Sequence, residues 1–307
     1  MRGRHDLTEE DEARAALPAI PVLAGYAGPL ERLGGLTNRV FRAGAYCLRL
    51  PGKGTEEYID RGNEAVAARE AARAGVSPEV IHVDAATGVM VTRFIEGALT
   101  MSPQAFGSSD GAAGRAGHAF RALHASGAVF PFRFELFCMI DGYLKILATK
   151  DVGLPDGYHD IVAEAGAVRA ALAAHPLPLA PCHCDPLCEN FLDTGSRMWI
   201  VDWEYSGMND PLWDLGDLSV EAAFDEKREE EMIAAYFGRD PTAAERGRIV
   251  AYKAMCDLLW TLWGLIQHAN ANPADDFWAY SVNRFERCKA LMGTADFSRH
   301  VAAVARG

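Results

Sequence analysis

The sequence has few basic residues relative to its acidic ones. Its 307 residues include 30 Lys and Arg against 42 Asp and Glu, which gives a formal net charge of −12 at pH 7. A protein that binds nucleic acid needs a basic stripe to meet the phosphates, so this composition argues against a nucleic-acid partner. An acidic cleft would attract a small cationic substrate. An acidic surface that only maintains solubility would explain the same composition.

Cysteines and long apolar runs are also scarce. There are seven cysteines, an odd and scattered set, so we expect no disulfide framework and a reducing, cytoplasmic setting. The first fourteen residues, MRGRHDLTEEDEAR, lack the apolar core of a secretory signal. No apolar run reaches the roughly 18 residues that a membrane span requires. The longest, Leu258 to Ile266, is expected to be a buried helix. The oligomeric state is left open.

Polar residues with regular spacing lie in the stretch from position 183 to position 217. It begins with His183-x-Asp185-x-x-x-x-Asn190, and Asp202 ends an apolar run twelve positions later. A turn signal at 193–196 separates two strand-like runs, so we predict a loop, a strand, a tight turn and a second strand. This hairpin would bring Asn190 close to Asp202.

Phosphoryl transfer requires the types of side chain that this stretch contains. Asp185 would accept or orient the proton of the attacking hydroxyl, and Asn190 and Asp202 would hold Mg²⁺ on the phosphates. His183, grouped with Asp185 as a candidate catalytic residue, is expected to brace the loop. Asp214 is expected to support the loop from below through backbone N–H groups.

A metal-binding interpretation competes for this loop. Cys182-His183-Cys184-x-x-x-Cys188 resembles a Cys/His cluster. Its spacing lacks the usual C-x₂₋₄-C…H-x₃₋₅-H pattern of structural zinc sites, and it lies inside the loop whose residues suit phosphoryl transfer. We therefore favour phosphoryl transfer over a structural zinc ion.

The N-terminal part contains residues that could bind a nucleotide. Paired glycines before a strand allow backbone N–H groups to approach a phosphate, although Gly-Gly is ordinarily only a turn. Arg49, at the end of the second strand, could reach the phosphates and pair with Glu64 on the next helix; a solvated helix face is the alternative for Glu64. The predicted nucleotide-binding residues are Gly34, Gly35, Thr37, Asn38, Arg49, Glu64 and, in a hinge that could meet an adenine edge, Arg93, Phe94 and Ile95.

The order of elements predicts an α+β protein with two lobes. Residues 33–96 read as a strand pair, a helix from Tyr58 to Arg73, and another strand pair. Most of the sequence after residue 98 reads as helix. We predict a bilobal, protein-kinase-like fold with a small antiparallel-sheet nucleotide-binding lobe at 1–97 and a larger, mainly helical catalytic and substrate-binding lobe at 98–307. Helices are predicted at 8–16, 115–126, 137–149, 161–174, 213–223, 226–237, 242–269 and 275–292.

Four segments resemble the choline/ethanolamine kinase family, within the kinase-like superfamily that includes aminoglycoside phosphotransferases. They are LGGLTN at 33–38, LRLPG at 48–52, the His183 to Asn190 motif, and VDWEYS at 201–206. The resemblance extends from about residue 30 to about residue 290. It is strongest to the bacterial choline kinase branch, in which sequence like GMNDPLWDLGDLS is typical.

The resemblance implies an amine pocket of acidic and aromatic side chains beside Asp185. Trp260 and Trp263 are three residues apart on one helix face, and aromatic faces near an acid attract a quaternary ammonium by roughly 0.5–2 kcal/mol each. Two tryptophans at helical spacing could equally be core. By resemblance the substrate-binding residues are Asp185, Glu204, Tyr205, Glu221, Trp260, Trp263 and Tyr280.

These observations predict a kinase that uses ATP and Mg²⁺ to phosphorylate the hydroxyl of choline or ethanolamine. One alternative is a kinase of another hydroxylated amine, such as an aminoglycoside or thiamine. Another is a non-catalytic module that binds a nucleotide or a quaternary amine. The small cationic amino alcohol is the only partner that we expect.

Overall fold

A small antiparallel sheet and two helices form the N-terminal part of the protein. The computed structural model describes residues 8–34, 38–52 and 59–307. Five strands pair in the order β1-β2-β3-β5-β4. Their bounds are β1 Glu31–Gly34, β2 Arg39–Ala43, β3 Tyr46–Leu50, β4 Val80–Val83 and β5 Met90–Arg93, with α1 at Glu9–Ala16 and α2 at Arg61–Arg73.

Local sequence explains where these elements begin and turn. Thr8 and Asp11 form a capping box at the start of α1. The Asp60 carboxylate accepts the backbone N–H groups of Gly62 and Asn63, which caps α2. Gly44, with a φ of +62°, makes the turn between β2 and β3 in a conformation that favours glycine. The predicted start of the second helix at Tyr58 lies outside the described residues.

The rest of the chain is mainly helical and contains two small sheets. The three-stranded sheet has the order β6-β8-β9, and β7 pairs with β10. The bounds are β6 Leu99–Thr100, α3 Pro103–Ser108, α4 Ala112–His124, α5 Leu136–Leu147, α6 Tyr158–Ala174, β7 Ala180–Cys182, β8 Phe191–Asp193, β9 Met198–Ile200, β10 Gly207–Asn209, α7 Leu212–Glu221, α8 Glu226–Phe237, α9 Ala243–Ala269, α10 Phe277–Met292 and α11 Ala295–Arg306. The predicted architecture, a small antiparallel sheet followed by a larger helical part, is confirmed.

The hairpin of β8 and β9 has the register that the sequence predicted. Phe191 pairs with Ile200, and the Val201 N–H donates to the Asn190 carbonyl at 2.9 Å. Asn190 and Asp202 therefore flank the same end of the hairpin.

Helix α9 forms the centre of the larger core. It alone among the helices of the described residues is long and apolar enough to cross a membrane, but 78% of its apolar window is buried inside the protein. Helices α7 and α9 approach closely at Gly216, where a Cβ atom would lie 2.8 Å from the Tyr252 Cβ and 2.9 Å from the Ile249 carbonyl oxygen. Because Gly216 has no side chain, α7 can pack closely against α9 at this position.

The segment after α2 connects the N-terminal part to the larger core. The Ile200 N–H donates to the Val76 carbonyl at 2.8 Å, and the Trp203 indole donates to the Ser77 hydroxyl at 3.0 Å. Buried alanines of α2 belong to the same apolar cluster as α4 and α9. A second, smaller cluster lies between α1 and the sheet. The predicted lobe boundary at Gly97 falls between β5 and β6.

Helices α3 and α11 were not predicted, although Ser102 caps α3 by accepting the Ala105 N–H and Thr294 caps α11 by accepting the Phe297 N–H. Helices α4 and α6 each begin three residues before the predicted start, and in both a glycine in a left-handed conformation, Gly111 or Gly157, immediately precedes the helix.

Candidate active site

Asp214 holds the loop between β7 and β8. This fully buried carboxylate accepts the backbone N–H of His183 at 2.8 Å and that of Cys184 at 2.9 Å. The His124 ring lies 3.0 Å from the same carboxylate. Because Asp214 belongs to α7, the helix and the loop are fixed relative to each other.

The His183 side chain lies behind the loop. Its Nε2 atom is 2.9 Å from the Val201 carbonyl oxygen, and its ring packs edge-on against Trp203 with centroids 5.0 Å apart. The residue is 1% exposed, and burial lowers the pKa of its imidazole. These contacts hold the loop against the segment that follows β9.

Two residues of the site adopt a left-handed backbone conformation that is unusual outside glycine. Cys184, immediately before Asp185, has a φ of +69°, and Asp202 has a φ of +67°. Such conformations cost about 1–3 kcal/mol each and persist where the surrounding contacts impose them. Here the strain falls on the two segments that carry the candidate catalytic carboxylates.

The half-buried Asp185 follows the strained Cys184. The Asn190 side-chain amide donates to the Asp185 carbonyl at 3.2 Å. Burial, with smaller contributions from the carboxylates of Glu221, Asp202 and Glu204, raises the pKa of the Asp185 carboxyl to about 8. Asp185 therefore lies among several acids.

Charged side chains from both parts of the chain meet around Asp202, whose carboxylate also raises the pKa of Asp185. Arg49 donates from Nη2 to Glu64 Oε2 at 2.9 Å and also contacts Oε1. Its Nη1 atom is 3.7 Å from Asp202 Oδ1. Asn38, from the predicted glycine turn, donates to Asp202 at 3.4 Å and to Glu204 at 3.3 Å. The arrangement links β3 and α2 to the segment after β9.

Arg61 joins this group and was not singled out from the sequence. Its Nη1 atom is 2.8 Å from Glu64 Oε2 and 3.1 Å from Glu204 Oε2. The signal was available, because Arg61 precedes Glu64 by three residues on one helix face. Glu204, which the resemblance placed with the amine-binding residues, thus contacts Asn38 and Arg61 on the Asp202 side of the site.

This side of the site has donors that suit a hard divalent cation. Carboxylate oxygens of Glu64, Asp202 and Glu204 lie within 4.8 Å of one another. Asp202 Oδ1 is buried and accepts no hydrogen bond within the described part of the chain. Mg²⁺ prefers oxygen ligands, so the donor set fits that ion.

The structure describes only some of the remaining predicted nucleotide-binding residues. Gly34 is exposed at the end of β1, whereas Gly35 and Thr37 lie outside the described residues. In the hinge, the Arg93 N–H donates to the Glu79 carbonyl and the Phe94 N–H to the Ala45 carbonyl. Those two N–H groups are already used, so they are not available to an adenine edge. Ile95 is half-buried.

A second group of charges and aromatic rings includes Glu221, whose carboxylate also raises the pKa of Asp185. Glu221 forms a two-point ion pair with Arg284, with distances of 2.7 and 3.0 Å. The Arg284 guanidinium also lies 4.8 Å from the ring centroid of Tyr280. Neither Arg284 nor its pairing with Glu221 was predicted, because α7 and α10 are far apart in sequence.

The predicted aromatic residues of α9 and α10 come together. Ring centroids of Trp260 and Trp263 are 6.0 Å apart, those of Trp263 and Tyr280 are 5.9 Å apart, and both pairs pack edge to face. All three residues are half-buried, as is Tyr205. The rings are thus neither fully in the core nor fully in solvent.

The Cys/His group considered for zinc does not come together in the described residues, where Cys182 lies instead with His124 and Asp214. Potential metal-binding groups there include none that combines His183 with the thiols of the loop. The thiols of Cys182 and Cys188 contact different backbone carbonyls, those of Asn209 and Glu221. All seven cysteines are free.

Comparison with known proteins agrees with this geometry. The crystal structure of a choline/ethanolamine kinase family protein from Mesorhizobium loti is 73% identical, with a TM-score of 0.93, and the match covers 97% of this chain and 99% of that chain. The choline kinase LicA from Streptococcus pneumoniae is 26% identical, with a TM-score of 0.75 over 93% of this chain and 99% of that one. Another LicA structure, 24% identical with a TM-score of 0.70 over 95% of this chain and 98% of that one, is a complex with AMP.

Sequence comparison points the same way. The protein LicA of Haemophilus influenzae is 26% identical over 274 residues, which covers 86% of this chain and 80% of that protein. Residues 30–252 match the model of the phosphotransferase enzyme family. The resemblance identified from the four sequence segments is confirmed. The chain therefore belongs to the phosphotransferase enzyme family, as a kinase-like phosphotransferase homologous to choline/ethanolamine kinases.

Proposed function

We propose that this protein transfers the γ-phosphate of ATP to the hydroxyl of a small cationic amino alcohol, choline or ethanolamine. The observation that carries the proposal is that the Asp185 carboxyl is close enough to two unlike groups for its pKa to respond to the charges of both. Asp202, with Arg49 and Asn38, belongs to the first group, and Glu221, linked through Arg284 to the rings of α9 and α10, belongs to the second. The first group suits phosphates and a divalent cation, and the second suits an organic cation.

On the phosphate side, Arg49 would contact the nucleotide while Glu64 fixes its direction. Asp202 and Asn190 would hold Mg²⁺, and the buried Oδ1 of Asp202, which accepts no hydrogen bond in the described part of the chain, supports this role. When bound, the ion would neutralise charge that develops on the transferred phosphoryl group. The AMP complex of LicA supports a nucleotide as the donor.

At the centre, Asp185 would orient the substrate hydroxyl and accept its proton. Its raised pKa suits a proton acceptor that works near neutral pH. A bound cation on either side would reduce the repulsion from neighbouring carboxylates and favour the ionised, proton-accepting form. His183 and Asp214 would act by holding the loop.

On the amine side, Trp260, Trp263 and Tyr280 would surround the ammonium group. The names of the related LicA structures and of the Mesorhizobium loti protein support choline or ethanolamine as the acceptor. A cytoplasmic location is also part of the proposal, and the seven free cysteines support it.

Measuring ATP consumption with choline, ethanolamine, thiamine and an aminoglycoside tests the proposal. We expect turnover with choline or ethanolamine. Asp185→Asn should lower kcat by roughly 10²- to 10⁴-fold, because the proton acceptor is lost, whereas ATP binding measured by calorimetry should persist.

Asp151→Asn serves as the matched control, since Asp151 is exposed in the loop between α5 and α6. Near-normal turnover by Asp185→Asn would refute the assigned role. Exclusive turnover of thiamine or an aminoglycoside would refute the acceptor. ATP binding without turnover of any of the four compounds would favour a non-catalytic module.

A further inference from the structure

Six polar side chains on the phosphate side contact one another in a closed ring. Two arginines and an asparagine alternate with three carboxylates, so each carboxylate lies between two residues that can donate to it. In order around the ring, the residues are Arg49, Glu64, Arg61, Glu204, Asn38 and Asp202. Water competes little with buried contacts of this kind, so they hold side-chain directions well.

Arg61 joins two of the three carboxylates. One nitrogen of its guanidinium, Nη1, lies 2.8 Å from Glu64 Oε2 and 3.1 Å from Glu204 Oε2. The side chains of Arg61 and Glu204 are each 8% exposed, and that of Glu64 is 1% exposed. Arg61 therefore fixes the separation between a carboxylate of α2 and one of the segment after β9.

Gly88, in the turn between β4 and β5, leaves room for this arginine. A Cβ atom at Gly88 would lie 3.0 Å from both Cδ and Nε of Arg61. The Gly88 carbonyl also accepts Nη2 of Arg49 at 3.0 Å. The same turn thus limits the positions of both arginine side chains.

The members of the ring come from both apolar clusters. Helix α2, which carries Arg61 and Glu64, packs in the larger cluster, as does the segment with Glu204. Strand β3, which carries Arg49, packs in the smaller cluster with the sheet, and Asn38 directly precedes β2. Glu64 and Glu204 are therefore the carboxylates of the larger part that Arg49 and Asn38 of the sheet contact.

We infer that Arg61 is a positioning residue for the nucleotide, because it directs Glu64 and Glu204 and, through them, Arg49 and Asn38. The inference rests on the proposed function, in which Arg49 contacts the phosphates. Without Arg61, Glu64 would lose one of the two arginines that contact it, and Glu204 would lose an ion pair. Buried carboxylates that lose a partner are costly, so they would draw Arg49 and Asn38 out of position.

Arg61→Met tests this inference, because it removes the guanidinium and keeps an unbranched side chain. We expect the Kd of a non-hydrolysable ATP analogue with Mg²⁺, measured by calorimetry, to rise about 10- to 100-fold, since small displacements of positioning groups are costly. The KM for the amino alcohol should stay near that of the wild type. Arg61→Lys keeps the charge but lacks the length and planar fork of arginine, so it should restore the Kd only in part.

Arg73→Met is the matched control. Arg73 also lies on α2 and also pairs with a glutamate three residues away, Glu70, but its side chain is 71% exposed. This variant should bind the analogue as the wild type does. Glu204→Gln supplies a second test. Because Arg61 acts partly through Glu204, Arg61→Met should raise the Kd by a smaller factor in the Glu204→Gln protein than in the wild type.

Several results would overturn the inference. One is a wild-type Kd for Arg61→Met, and another is an equal rise in the analogue Kd and the amine KM, which would indicate a general loss of structure. Independent effects of Arg61→Met and Glu204→Gln would show that Arg61 does not act through Glu204. If Arg61→Met does not fold, Arg61→Lys decides, since a wild-type Kd for that variant would show that the site requires only a charge. A wild type that binds the analogue but phosphorylates no amino alcohol would refute the proposed function, and the Kd values would still test Arg61.

Discussion

Asp185 lies where two groups of carboxylates meet. Asp202 and Glu204 act on it from the phosphate side, and Glu221 acts on it from the amine side. Each of these acids favours the protonated form of Asp185 while the site is empty. The cations among the ligands, Mg²⁺ on one side and ammonium on the other, would oppose this effect, whereas the phosphates of ATP would add to it. Binding of the ammonium and of Mg²⁺ would therefore each lower the pKa of Asp185 and favour its proton-accepting form.

The raised pKa of Asp185 predicts how stability depends on pH in the ligand-free protein. Folding raises this pKa from 3.8 to about 8. Stability from the protonated carboxyl is therefore fully present below about pH 4 and is lost as the pH rises to about 8. Asp185→Asn cannot lose a proton. We expect its thermal midpoint to exceed that of the wild type by a margin that grows from about pH 5 to about pH 8 and then levels off.

Differential scanning calorimetry without Mg²⁺ or nucleotide measures this margin. Asp151→Asn removes an exposed carboxylate and should follow the wild type across the same pH range. A constant difference between Asp185→Asn and the wild type at every pH would contradict the prediction.

The relative positions of side chains within one segment could be predicted, but the ion pair between α7 and α10 could not. The spacing of Asp185, Asn190 and Asp202 was informative because a short hairpin fixes their relative positions. The Glu221–Arg284 pair depends on how α7 packs on α10, which no local pattern encodes. For the same reason, the contact between Arg61 and Glu204 could be found only in the structure.

Helix α7 connects the two sides of the site. It carries Asp214, which holds the loop, and Asp217 and Glu221, which lie close together near the residues proposed to bind the amine. The distance between α7 and α9 depends on Gly216, which lies against the backbone of α9. A change in that distance would move all three carboxylates together.

Gly216→Ala should therefore reduce both stability and activity. Its new methyl group would overlap Tyr252 and the Ile249 carbonyl, so we expect a loss of about 1–3 kcal/mol in the free energy of unfolding. The kcat/KM for the amino alcohol should also fall. Urea unfolding and steady-state kinetics measure the two effects.

The matched control is Gly166→Ala in α6. Apart from the neighbouring part of its own helix, no atom lies within 4 Å of the position that its Cβ would occupy, so the better helix propensity of alanine should stabilise the protein by up to about 1 kcal/mol. Effects of the same sign in the two variants would show that close packing at Gly216 does not set the position of α7.

Helices and strands could be predicted where the hydrophobic periodicity and the turn residues indicated the same element. The hairpin of β8 and β9 followed from a turn between two apolar runs, and most helices of the larger part followed from their patterns. Helix α11 was missed although Thr294 supplied a capping signal. The tryptophans of α9 were placed on one face correctly. Their half-buried state could not be predicted, since it depends on the position of α10.

At the scale of the molecule, two apolar clusters differ greatly in size. The larger extends from α2 to α11, and the smaller joins α1 to the five-stranded sheet. The residues proposed to bind ATP lie between them, with Arg49 on β3 and Asp202 beyond β9. A ligand that contacts both sides would hold the sheet against the larger part.

Hydrogen exchange followed by mass spectrometry should detect this difference in stability. A small cluster supplies less free energy against local opening, so the amides of 39–50 in β2 and β3 should exchange sooner than those of 249–266 in α9. Binding of a non-hydrolysable ATP analogue with Mg²⁺ stabilises the form it binds, so it should slow exchange at 39–50 much more than at 249–266. Equal exchange in the two segments, or slowing confined to α9, would show that the sheet is not the less stable part and that the nucleotide does not join the two clusters.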